Sequence, residues 1–157
     1  MTPYSEITTL AFTVITDELF EDTYESYQEF LEDGVDMIDF SVPSFKFPKF
    51  NIYDTEIVDE EKCFVYDLQH EEKIILAQLV AIRWLERQIL STELTKQEVY
   101  ASSDFKKTSQ ASHLSRLISL KKELIKENNT SQMWYNRRDI GAKGAVSTLA
   151  GLGGKKK

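Results

Sequence analysis

The stretch EEKIILAQLVAIRWLERQI, from Glu71 to Ile89, constrains the fold more than any other. Ile74, Ile75, Leu76, Leu79, Val80, Ile82, Trp84 and Leu85 leave almost no polar face through two helical turns. A helix with apolar residues on nearly every side is stable in water only when other elements surround it. At 157 residues and 41% hydrophobic composition, the chain can bury one core of ordinary size around such a helix. Glu86, Arg87 and Gln88 mark its exit from the core, and an exposed continuation runs to about Gln97.

The remaining elements read as its packing partners. TPYSEITTLAFTVITDELF opens with Thr2 as a cap, Pro3 just inside and Glu6 near the positive helix end, which predicts a helix over about 3–20. Ile7, Leu10 and Val14 give it an apolar stripe. A second helix, EDTYESYQEFLEDG, carries Tyr24, Tyr27, Phe30 and Leu31 on one side and acids on the other, with Gly34 as its stop. Over 35–67 the helical period fails. Pro43, Pro48 and the interleaved Phe45, Phe47 and Phe50 predict an extended arm with a short strand or hairpin, the aromatics closing over the core.

YASSDFKKTSQASHLSRL, from Tyr100 to Leu117, mixes hydroxyls, a histidine, a carboxylate and cations. Its place ahead of Leu114, Leu117, Ile118, Leu120, Leu124 and Ile125, at steps of three and four, makes it a connection and helix entrance. Thr108 or Ser109 is the expected cap, with Asp104 and Phe105 fixing the turn. The last helix is expected to run to about residue 138. Five of the six glycines then fall in the C-terminal segment 139–157, which ends in three lysines. Its small apolar residues Ile140, Val146, Leu149 and Leu152 point to a segment that orders on a partner. The expected fold class is mainly α: a small bundle of about four helices, an extended arm or short hairpin between helices 2 and 3, and a flexible C-terminal tail. Residues 1–138 form the domain.

No catalytic or metal signature stands out. Ser109 and His113 are four apart, but no third orienting group and no GxSxG elbow accompany them. His70 in HEEKI is not HExxH, and no glycine-rich phosphate loop or paired CxxC is present. Cys63, the single cysteine, forms no intrachain disulfide or thiolate zinc cluster and points to a reducing compartment. The acids lie along a helix without convergent oxygen ligands, so neither a metal nor a cofactor is expected, and the chain reads as a non-enzyme. No apolar run approaches the roughly 20 residues that cross a bilayer, and the acidic N-terminal region lacks the basic start of a secretory signal. The expected setting is intracellular, or a particle assembled inside a cell.

Charge divides the chain. Residues 1–72 hold 19 acids against 3 bases, net −16, and residues 73–157 hold 16 bases against 7 acids, net +9, which sums to the overall −7. Such asymmetry fits a protein that meets partners of differing charge, or copies that meet one another head to side.

The start MTPYSEI, the middle FKFPKFNIYD, the buried helix and SSDFKKTSQASHLSRLISLKKE together resemble head-to-tail connector proteins of tailed bacteriophages, also called adaptor or head-completion proteins. The resemblance covers about residues 1–138. It implies a helical subunit repeated around the portal ring in the virion neck, between capsid and tail, and assembled in the host cytoplasm. Its implied partners are the portal protein, neighbouring copies of itself, a tail or tail-completion protein, and double-stranded DNA passing without sequence-specific binding; no membrane is involved. On this reading Trp134, Tyr135, Arg137, Arg138, Ile140, Leu149 and Leu152 are the expected portal contacts. Glu25, Glu29 and Glu32 are the expected lining of the DNA channel, where acids would repel phosphate and let the duplex slide. The alternative is a nucleic-acid-binding packaging accessory protein resting on Lys121, Lys122, Lys126, Arg137 and Arg138. A small enzyme, or an inhibitor of a host enzyme, is the reading left for the acid clusters.

Overall fold

A long apolar helix at the centre is what the computed structural model contains, with three other helices and a small sheet arranged about it. Residues 1–15, 27–99 and 104–152 are described, with side chains over 1–15, 28–92 and 111–138. In chain order they form β1 (Thr2–Pro3), α1 (Tyr4–Val14), α2 (Tyr27–Ser41), a 3-10 turn (Val42–Ser44), β2 (Thr55–Val58), β3 (Glu61–Phe64), α3 (His70–Val99) and α4 (Asp104–Leu152). The fold is mainly α, as the hydrophobic periodicity predicts. α3 packs against α1, α2 and α4, and its Ile75, Leu76, Val80, Ala81 and Leu85 are fully buried.

The N-terminus departs from the expected cap. Thr2 and Pro3 form a short strand antiparallel to β3, with Thr2 opposite Phe64. The Thr2 hydroxyl accepts the Leu68 N–H at 2.8 Å, so it ties the strand to the entry of α3 and leaves α1 uncapped from its own side. The free first-turn amide of Ser5 instead donates to the Glu61 carboxylate at 2.9 Å, a cap supplied from β3 across 56 residues. Helix α1 ends at Val14, where Ile15 turns extended, short of the expected end near residue 20; residues 16–20 lie outside the described residues.

Gly34 is not a helix stop. α2 passes through it and runs on to Ser41, and no glycine has positive φ among the described residues. A β-carbon at Gly34 would sit 1.9 Å from the Thr8 methyl. The glycine is therefore a contact residue that lets α1 and α2 approach closely. Pro43, which has no N–H to continue the ladder, converts the end of α2 into the 3-10 turn.

The arm is accordingly shorter than 35–67. Phe45 is buried, with ring centroids 5.6 Å from Tyr135 and 6.4 Å from Phe50, while Phe47 stays exposed. The hairpin is present: β2 pairs antiparallel with β3 through a two-residue turn at Asp59 and Glu60, both with positive φ (52° and 68°). Sheet order is β1-β3-β2, which leaves β2 at an edge.

α4 starts at Asp104, about four residues before the expected cap, so Thr108 and Ser109 fall inside it. Its helical backbone is assigned to Leu152; the side chains of residues 139–157, and so those of the expected tail, lie outside the described residues. Among the described residues no helix is long and apolar enough to cross a membrane.

Candidate functional site

On α4 the apolar stripe Leu114, Leu117, Leu124 is continued by Asn128, Gln132 and Tyr135, all buried. Spacings of three, four and seven keep these residues on one face. Three polar side chains on a buried face need partners, because an unpaired buried donor or acceptor costs about 1–3 kcal/mol. Here each has them. Asn128 donates to the Ile75 carbonyl at 3.0 Å and to Gln78 at 3.1 Å. Gln132 donates to Asn128 at 2.6 Å and to the Ser44 carbonyl at 3.2 Å, and accepts the Lys46 N–H at 2.8 Å. The Tyr135 hydroxyl donates to Glu72, whose other oxygen accepts the Gln69 N–H at 2.8 Å and so closes the first turn of α3. No buried side-chain N or O lacks a partner among the described residues. This seam fixes the register of α4 against α3 and the arm. Its sequence signal was present, since the leucine stripe runs on at helical spacing into Asn128, Gln132 and Tyr135.

Burial corrects one expected contact. Tyr135 is 1% exposed, with its ring under Phe45 and the Lys49 ammonium 4.2 Å from its centroid, so it presents no surface to a partner. Burial first, then the Glu72 hydrogen bond, pushes its phenol above the ordinary range. Trp134, one position and about 100° round the helix away, is 54% exposed and Met133 is 49% exposed. The Arg137 guanidinium lies 5.7 Å from the Trp134 ring centroid. Arg138, also exposed, is paired with Glu71 at 3.0 Å, while Met133, Trp134 and Arg137 form an outward group beside it. The expected contacts Ile140, Leu149 and Leu152 have side chains outside the described residues.

Of the expected channel acids, Glu29 and Glu32 are exposed on α2, and Glu25 lies outside the described residues. The two charge blocks meet among the described residues. Glu6 pairs with Lys73 at 2.8 Å, Asp33 with Arg87 at 2.5 Å and Glu71 with Arg138, each an acid from the −16 block bonded to a base from the +9 block. Part of the asymmetry is therefore spent inside the fold. Lys121 reaches Glu86, an acid of its own block, at 3.2 Å. Lys122 and Lys126 are exposed and enter no ion pair among the described residues.

Two grooves flank Arg83 and Glu86. One of about 480 Å³ lies between α2 and α3 beside the exposed Phe40 and Leu90. The other, about 380 Å³, lies between the 3-10 turn, α3 and α4. Arg83 and Glu86 are bonded at 2.9 Å in the shared wall, which neutralises it. His70 is exposed and His113 half-buried; the side chain of Ser109 lies outside the described residues. No group of three or more histidine, cysteine or acidic residues is placed to hold a metal among the described residues. Burial and the neighbouring Glu61 and Glu56 carboxylates hold the Cys63 thiol above its usual range, away from the thiolate form.

Comparison with protein-family models, with curated proteins and with solved structures finds no match for this chain.

Proposed function

We propose that this protein is a head-to-tail connector subunit of a tailed bacteriophage, one of several copies ringed on the portal protein in the virion neck. The observation that carries the reading, beside the sequence resemblance, is the Met133–Trp134–Arg137 group. A wide aromatic ring stands out of a helix whose opposite side is locked by the buried seam. Partly exposed tryptophan and arginine on a rigid support have the composition of an interface anchor. The exposed acids Glu29 and Glu32 on α2 suit a surface past which DNA slides without adhering. The tail or tail-completion protein takes the remaining edge of the ring.

Electron microscopy of the purified protein, alone and mixed with the portal protein encoded in the same genome, tests this. The expected result is a ring stacked coaxially on the portal. No association over a range of protein and salt concentration overturns it. The exposed Lys122 and Lys126 favour the second reading, a nucleic-acid-binding packaging accessory protein. Strongly salt-dependent affinity of the isolated protein for duplex DNA would establish that one instead.

A further inference from the structure

We infer that the β2–β3 hairpin of one copy docks on the Lys122–Ile125–Lys126 face of α4 in a second copy, joining copies head to tail. The inference rests on the ring-forming reading above and supplies its subunit contact.

The hairpin is an unpartnered edge. Among the described residues β2 pairs only with β3, and Ile57 on it is 77% exposed, the most exposed of the large hydrophobic residues described. Tyr53, just before the strand, is 70% exposed. Glu56, on the opposite face of the strand from Ile57, and Asp59 and Glu60 at the tip enter no ion pair among the described residues, while Lys62, across from Ile57, is paired with Asp39. Asp59 and Glu60 both hold left-handed backbone, which Asn-Gly adopts with less strain. Asp59 suits the first position of such a turn, whereas Glu60 occupies the second, where glycine is favoured.

The face on α4 offers the opposite charge around an exposed apolar residue. Ile125 is 36% exposed, with Lys122 one turn before it and Lys126 beside it. An exposed isoleucine with two ammonium groups along one side of it meets an exposed isoleucine with the tip carboxylates of Asp59 and Glu60 beyond it. Like charges disfavour the other self-contact, strand to strand, because a second β2 would bring Glu56, Asp59 and Glu60 against their own copies.

Within one chain the two surfaces do not meet. No contact joins β2 or β3 to α4 among the described residues. The base of the hairpin is linked to α4 by a chain of ring contacts from Tyr66 through Phe50 and Phe45 to Tyr135. Lys122 and Lys126 lie 13 and 9 residues before Tyr135, about 14–20 Å along the helix axis at roughly 1.5 Å per residue. Two different patches apart on one molecule make a heterologous contact, which propagates to a closed ring or an open filament.

Cysteine cross-linking tests the contact. The double variant Ile57→Cys/Lys122→Cys is treated with a short bis-maleimide, free and bound to the portal protein, and run on a denaturing gel. The expected result is a ladder of multimers. An equimolar mixture of the two single variants should give a dimer containing one of each. Glu56→Lys/Glu60→Lys in the double variant should cut the ladder about tenfold, and adding a partner carrying Lys122→Glu/Lys126→Glu should restore cross-linking through Ile57→Cys and Ile125→Cys. Rings on the portal without the 57–122 cross-link overturn the contact and leave the connector reading standing. A ladder without portal association does the reverse. Duplex DNA shielding Lys122 from acylation, with no cross-link, overturns the contact in favour of nucleic acid.

Discussion

Tyr135 and Glu72 are 63 residues apart in sequence and hydrogen-bonded in the core, the phenol donating to a carboxylate that also closes the first turn of α3. One bond therefore joins the closing half of α4 to the start of the central helix. Tyr135→Phe keeps the ring packing and removes the donor, leaving one Glu72 oxygen buried without it. A loss of about 1–3 kcal/mol in urea unfolding is expected. An unchanged midpoint and slope would show that the bond contributes nothing net.

Alkaline pH should act on the same residue. Burial, followed by carboxylate hydrogen bonds, raises the phenols of both Tyr135 and Tyr4 above their ordinary value. A raised folded value means that the unfolded chain loses its proton first. The associated stability is complete below about pH 10 and falls as the pH rises beyond it. Stability measured between neutral pH and the alkaline range should fall more steeply in the parent than in Tyr4→Phe/Tyr135→Phe.

Gly34→Ala places a methyl where the Thr8 methyl already stands, 1.9 Å away. The helices must separate, at about 1–3 kcal/mol. Thr8→Ala removes the obstructing group, so the double variant should recover much of the loss. If Gly34→Ala is neutral in thermal unfolding, the close approach of α1 and α2 is not required.

Glu60→Gly relieves a left-handed position at the hairpin tip and should raise stability by roughly 0.5–1 kcal/mol. It also removes a tip carboxylate, so thermal stability and copy-to-copy cross-linking should move in opposite directions. A rise in both would mean that the acid plays no part in the contact between copies.

Trp134→Ala alters an exposed ring and should change the unfolding midpoint by no more than about 0.5 kcal/mol. Its effect belongs in portal association, where loss of an aromatic anchor costs about 2 kcal/mol or more. Equal binding by parent and variant would move the portal contact off this face.

The apolar run from Ile74 to Leu85 determined by itself that α3 is central and buried, because no arrangement of other residues makes that surface compatible with water. Local pattern also marked the hairpin region and the stripe on α4. Facts decided between distant residues were not legible. Gly34 reads as a helix stop until Thr8 is seen against it, since a glycine's conformational freedom is written in the residue and its neighbours are not. Tyr135 and Trp134 are adjacent and equally suited to an interface by type. Helix rotation put one against Glu72 and Phe45 and the other in solvent. The net charges −16 and +9 are sums over sequence, whereas Coulomb attraction depends on distance, and only the tertiary structure brought Glu6 to Lys73 and Asp33 to Arg87.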